Sequence, residues 1–177
     1  SANLLEIIVM ENSDIKCTDI NTEHLFKEIR GSVAFLLKKY GVKLHIKYEK
    51  AIIFAEPSLL KTLLYNLIDN ACKASKNGQE IALLGKTDGE RYCFSVCDCG
   101  RGIPKDELEK ITQPFYMVDK SRSRKMGGAG LGLALCNEIA RLHGSTLTIE
   151  SEENVGTTVQ FDAAVSTAEM EDESNEN

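Results

Sequence analysis

The 177-residue sequence predicts an α+β domain, a two-layer sandwich in which a mixed, mostly antiparallel sheet carries three main helices on one face and leaves the other face open. Three observations lead there. Stretches with strand periodicity arrive mostly as hairpins, over 80–98 and again over 146–161. Longer stretches with apolar residues at helical spacing stand apart from them, near 22–39, 57–76 and 131–142. Within 93–98, finally, Phe94, Val96 and Asp98 fall on one strand face and Cys93, Ser95 and Cys97 on a milder one, as in a sheet with one covered side.

The elements follow in order. LLEIIVME (4–11) reads as the end of a helix entering from a preceding segment. Asn21 is a cap for the first helix, with Glu23 in its opening turn, and Gly41 ends it. VKLHIKY (42–48) alternates apolar and polar residues like a half-exposed strand, and IIFA (52–55) is a second short one. Pro57 suits a helix start and Asn77-Gly78 its end. EIALLGK (80–86) and RYCFSVCD (91–98) form a hairpin turned at Asp88-Gly89. Residues 103–125 are irregular, with one short helix expected near 104–108. Leu131, Leu135, Ile139 and Leu142 make the stripe of the last helix, which His143-Gly144 stops. TLTIE (146–150) and TTVQF (157–161) close the chain as a hairpin.

Composition narrows the function. The net charge is −6, but five acidic residues and no basic one lie in 166–177, so the remainder is nearly neutral and offers no electrostatic footprint for nucleic acid. That tail, acidic and poor in large apolar groups, reads as disordered. No apolar run approaches the ~20 residues of a membrane span. The six cysteines fall in apolar periodic segments without zinc-knuckle spacing, and read as buried thiols.

Three segments carry chemistry. On the second helix Asn66, Asn70 and Lys73 stand at i, i+4 and i+7 and line one face, beside the apolar stripe of Leu60, Leu64, Leu67 and Ala71. Two carboxamides and an ammonium suit a magnesium-phosphate group, although the same set is also an ordinary polar helix edge. In DCGRGIP (98–104) the carboxylate of Asp98 ends a strand, placed to accept from an amine such as adenine's, and Gly100 and Gly102 would let a base lie against the backbone; such residues are equally common in turns. In GAGLGL (128–133) bare amides lead into a helix N-terminus, a geometry that favours an anion, with the basic run KSRSRK (120–125) just before it. Alone, that stretch is also a loop with a hinge.

The order and spacing of the segments decide among these readings. NLIDNACK (66–73), DCGRGIP (98–104), PFYMVDKSRSR (114–124), GGAGLGLAL (127–135) and GTTVQF (156–161) resemble, in order, the N, G1, F and lid, G2 and closing glycine-threonine elements of sensor histidine kinase catalytic domains. These belong to the wider gyrase, chaperone and kinase superfamily of the Bergerat ATP-binding fold. The resemblance covers about 14–163 and divides the chain into a helical stub (1–13), an ATP-binding domain (14–165) and the acidic tail (166–177).

The resemblance implies the following roles. Asp98 holds the adenine amine with Thr157 assisting, and Gly100, Gly102 and Ile103 lie beside the base. Asn70, with Asn66, holds Mg2+ bridging the phosphates of ATP, and Lys73 contacts phosphate. Tyr116, Lys120, Arg122 and Arg124 close over the nucleotide, while Gly128, Gly130, Leu131 and Gly132 cradle the phosphates. The superfamily's water-activating ATPases and its serine kinases carry glutamate where Asn66 stands, and a carboxamide cannot act as a general base. That favours transfer to a histidine over hydrolysis. Two positions depart from the family habit: Met117 follows the lid tyrosine where arginine is frequent, and Glu56 precedes Pro57 where aspartate is frequent.

None of His24, His45 and His143 fits the family's phosphoacceptor motif. The phosphoacceptor and dimerisation hairpin is therefore expected on another part of a longer parent, with a response regulator downstream. This chain would be a cytoplasmic monomer without membrane contact of its own, from a parent that can be membrane-anchored. The alternative is an ATPase or serine-kinase switch protein of the same superfamily, and a third reading is a non-enzymatic nucleotide sensor.

Overall fold

The computed structural model describes residues 14–113 and 132–168. The stub expected over 1–13, the residues Tyr116, Lys120, Arg122, Arg124, Gly128, Gly130 and Leu131, and the tail beyond Ala168 lie outside the described residues.

The described chain runs β1 (Thr18–Asn21), α1 (Thr22–Tyr40), β2 (Lys43–Tyr48), β3 (Ile52–Ala55), α2 (Pro57–Ala74), β4 (Glu80–Asp88), β5 (Arg91–Asp98), α3 (Gly132–Leu142), β6 (Thr148–Glu152) and β7 (Gly156–Val165). The strands form one sheet in the order β1-β3-β7-β5-β4-β2, with β6 also paired to β7. Only β2 and β4 run parallel, which gives the mixed, mostly antiparallel sheet that the hairpins predict.

Local chemistry explains the helix limits. Asn21 caps α1 by accepting from the Glu23 and His24 amides, and Gly41 ends it at φ +64°, where a side chain would be strained. Glu56, an uncommon cap, nevertheless closes the start of α2: its Oε2 accepts from the Leu59 amide at 2.6 Å, with Pro57 in the first turn. The end of α2 comes a little before the Asn77-Gly78 turn, because Ser75 leaves the helical conformation while its hydroxyl donates back to the Ala71 carbonyl at 2.7 Å.

The core lies between the helices and the inner sheet face. Tyr92, Phe94 and Val96 of β5 point into it, while Cys93, Ser95 and Cys97 face the less covered side, as the alternation predicts. Phe94 stacks on Phe161 with ring centroids 4.9 Å apart, and Phe26 stacks on Tyr48 at 4.5 Å. Such aromatic pairs add directional contact to the general gain from apolar burial. α2 packs against both α1 and α3, so it is the central helix of the layer.

Three details differ from the sequence reading. β1, TDIN, has no alternation to betray it; it exists because it pairs antiparallel with β3, Ile20 opposite Ile53. Residues 104–113 form successive turns with amides bonded three residues back, Glu107 to Pro104 and Lys110 to Glu107, in place of a short helix. The buried stripe of α3 is Ala134, Leu135, Cys136, Ile139 and Ala140, and Leu142 is only partly covered. β7 ends at Val165, and Ser166 stays bonded to the Ile52 carbonyl.

Candidate functional site

The last third of α2 faces the start of α3. A β-carbon built on Gly132 would lie 3.5 Å from Asn66 Oδ1 and 3.9 Å from both carboxamide atoms of Asn70. Asn66 donates its Nδ2 to the Thr62 carbonyl at 2.8 Å, which leaves the oxygen turned toward α3. Helical spacing thus sets two amide side chains opposite a helix N-terminus, where unsatisfied backbone N–H groups concentrate. Lys73, one turn on, carries its ammonium 2.6 Å from Asp69 Oδ2. Asp69 is a member of the site that its residue type alone does not reveal; its i, i+4 relation to Lys73 is the signal.

The second wall is the end of β5. Asp98 stands opposite Thr157 of β7 in the sheet register and accepts from the Gly100 amide at 2.8 Å. Burial pushes its carboxyl above the usual value of 3.8, and the Gly100 and Thr157 amides and the Arg101 guanidinium draw it part of the way back. Cys72, fully buried on α2, records the proximity of these groups. Its thiol is raised to about 11, first by burial and then by the negative charges of Asp69 and Asp98, so it is a neutral packing residue.

Residues 99–103 are clamped between α2 and the β6–β7 turn. The Arg101 amide donates to the Ala74 carbonyl at 3.1 Å, and the Asn154 amide donates to the Arg101 carbonyl at 2.7 Å. This gives the two glycines a physical reason that differs from the expected one. A β-carbon on Gly100 would fall on the Ala74 carbonyl oxygen, and one on Gly102, which sits at φ +64°, on that of Glu152. The protein's own backbone therefore requires them bare.

Ser151 of β6, which no motif picks out, organises this wall. Its Oγ accepts from the Ile103 amide at 2.8 Å, lies 3.0 Å from the Gly156 carbonyl and 2.7 Å from Thr157 Oγ1. All partners are satisfied when Ser151 donates to Gly156 and accepts from the Thr157 hydroxyl. Thr157, itself buried, stands directly across the sheet from Asp98. A carboxylate and a threonine hydroxyl paired in the sheet register could together take an exocyclic amine.

The structure sets Gly132 of α3 against Asn66 and Asn70 on α2, and brings Asp98, Gly100, Gly102, Ile103 and Thr157 together at the end of β5, its following loop and β7, a group that packs on Ala74 at the end of α2; Lys73 lies on α2 between the two. The donor set fits magnesium and nucleotide chemistry: carboxamide oxygens for a hard cation, a lysine and a helix N-terminus for phosphate, a carboxylate for an amine. The histidines serve elsewhere. His143 Nδ1 bonds the Ile139 carbonyl at 2.7 Å, and its Nε2 accepts from the Glu56 amide at 3.0 Å. His45 sits beside Glu80 on the exposed sheet edge. Among the described residues no helix is long and apolar enough to cross a membrane.

Comparison with known proteins gives concordant findings. Residues 55–166 match the family described as histidine kinase-, DNA gyrase B- and HSP90-like ATPase, a span that includes every site residue named above. The chain is 31% identical over 160 residues to the signal transduction histidine-protein kinase ArlS of Staphylococcus haemolyticus, covering 89% of this chain and 35% of that protein. Against ArlS of Staphylococcus aureus strain USA300 it is 33% identical over 161 residues, covering 89% and 36%. It spans about a third of the length of these curated relatives. Among solved structures, the nucleotide-free catalytic domain of the histidine kinase ThkA superposes with a TM-score of 0.74 at 25% identity, covering 85% of this chain and 97% of that one. Full-length ShkA in complex with AMPPNP shares the fold, with a TM-score of 0.80 at 23% identity over 94% of this chain and 35% of that one.

Proposed function

Because the chain belongs to the histidine kinase-, DNA gyrase B- and HSP90-like ATPase family, we propose that it is the ATP-binding catalytic domain of a two-component sensor histidine kinase. It transfers the γ-phosphate of ATP to a histidine on a hairpin domain of the longer parent. The observation that carries this reading is Asn66, which heads the pair of carboxamides facing Gly132. An amide at that place can ligate a cation but cannot remove a proton from water. The acceptor must already be nucleophilic at neutral pH, and an imidazole is.

In this reading Asn70 and Asn66 hold Mg2+, which when bound neutralises phosphate charge. Lys73 and the amides at the start of α3 contact the phosphates, and Asp98 with Thr157 takes the adenine amine. The relatives bearing the name of signal transduction histidine-protein kinase support the assignment. The same reading gives the parent a response regulator partner and a dimerisation hairpin, and makes this chain a cytoplasmic monomer of a parent that can be membrane-anchored.

Titration calorimetry with ADP and Mg2+ tests the first half, and labelled ATP with a supplied hairpin domain the second. Magnesium-dependent binding and acid-labile label on the hairpin are expected. Steady ATP turnover without the hairpin would shift the reading to an ATPase or serine-kinase switch, and absence of any binding would overturn it.

A further inference from the structure

We propose that His143 is a positioning residue that sets the register of α3 on α2, and thereby holds Gly132 opposite Asn66 and Asn70. The functional part of this proposal rests on the nucleotide reading above; its structural part does not.

Three contacts run along the helix pair. At one end the Gly132 position abuts Asn66 and Asn70. In the middle Cys136 Sγ lies 3.7 Å from the Leu63 carbonyl. At the other end His143 Nε2 accepts from the Glu56 amide at 3.0 Å. Residue numbers rise along α3 as they fall along α2, so the helices are antiparallel and a single register satisfies all three contacts.

What holds that register is the question. The surfaces between the contacts are apolar, with Leu60, Leu63, Leu64 and Leu67 of α2 and Leu135, Ile139 and Ala140 of α3 all buried. Apolar burial is not directional, so a slipped pairing would retain much of it. The directional contacts discriminate. The Cys136 thiol donates only weakly, which leaves the imidazole nitrogen that accepts from the Glu56 amide as the strong contact.

His143 is suited to the task on both ring nitrogens. The Ile139 carbonyl can only accept and the Glu56 amide can only donate, so the pair defines a neutral ring with its proton on Nδ1. Its partner is firm: Glu56 is the cap of α2, tied by its own carboxylate to the Leu59 amide. The backbone is tied as well, since the His143 carbonyl accepts from Arg91 Nη2 at 3.3 Å, and Arg91 grips Asp162 of β7. One residue therefore joins α2, α3 and the sheet. From Glu56 to Asn70 is roughly 20 Å along α2 at 1.5 Å per residue, so this anchor acts at a distance from the magnesium side chains.

The test uses the 177-residue chain with His143→Ala, His143→Gln and His143→Asn. Glutamine can keep an acceptor near the Nε2 position, whereas asparagine can keep only the donor to Ile139. Without nucleotide, the Ala and Asn variants should shift the NMR signals of the Gly132 amide and of the Asn66 and Asn70 carboxamides, leave the Gly100 and Thr157 amides in place, and be corrected in the Gln variant. With ADP, affinity in EDTA should stay within about twofold while the gain on adding Mg2+ falls about tenfold in Ala and Asn and recovers in Gln. Unmoved signals and a full magnesium gain would overturn the proposal, as would equal losses with and without Mg2+, which mark a merely structural role. Should Ala fail to fold, the contrast between Gln and Asn decides. If the unsubstituted chain binds no ADP, the nucleotide reading falls and the NMR signals alone decide the register.

Discussion

The Lys73 ammonium lies 2.6 Å from the carboxylate of Asp69, one turn earlier on α2, with only 23% and 20% of the two side chains exposed. The lysine proposed to contact phosphate is thus held by an acid of the same helix. If Lys73 contacts phosphate as proposed, the acid must release or share the ammonium when the nucleotide binds. Replacing Asp69 by Asn removes the competitor. We expect nucleotide affinity to rise by up to about fivefold and apo stability to fall by about 1 kcal/mol, as for a partly covered helical ion pair. Calorimetry and thermal melts read both. A fall in affinity would show that Asp69 serves mainly to orient Lys73.

Asp98 gives a pH signature. Burial raises its carboxyl above 3.8 in the folded chain, so the folded state holds that proton more tightly than the unfolded one. Stability from this group is therefore full below the unfolded value and is lost as pH rises through the raised folded value. At neutral pH the ionised carboxylate costs stability, a cost that the proposed acceptor role would justify. The Asp98→Asn variant should be at least as stable as the parent at neutral pH in urea melts, with the difference shrinking in acid. The variant should lose ADP binding, and the parent's ADP affinity should weaken as pH falls through the raised value.

Gly102 should tolerate no side chain. Alanine there meets both the left-handed backbone at φ +64° and the Glu152 carbonyl. We expect a loss of roughly 2–4 kcal/mol from strain and overpacking together. Gly144, at φ +68° with nothing within 4 Å, is the control, and alanine there should cost only about 1–2 kcal/mol. Chemical denaturation of the two variants makes the comparison.

Ser151→Ala removes the acceptor of the Ile103 amide and the partner of the Thr157 hydroxyl. Leaving such groups without a partner costs about 1–3 kcal/mol. The Thr157 hydroxyl would then turn toward the Asp98 carboxylate and compete with an incoming amine. ADP affinity should fall with Mg2+ and without it alike, a pattern that separates this wall of the site from the proposed magnesium side.

Much of this was legible because periodicity is a local property. The i, i+4, i+7 spacing of Asn66, Asn70 and Lys73 needs only a helix, and the face shared by Phe94 and Val96 needs only a strand. What escaped depends on distant partners. Thr18–Asn21 is a strand because β3 lies beside it, not because of its own residues. Ser151 matters because it stands across from Thr157 in the sheet register. The bareness of Gly100 and Gly102 was legible, but its cause was not, since Ala74 and Glu152 approach them from other elements.

The place of β7 has a consequence for how such a chain matures. The last strand of the described fold lies inside the sheet, paired with β3, β5 and β6, and its Phe161 completes the aromatic cluster. A nascent polypeptide that stops short of residue 156 has its centre missing, however many earlier elements it holds. Such domains are expected to stay open to proteases and chaperones until β7 has been synthesised, and then to close in one cooperative, comparatively slow step.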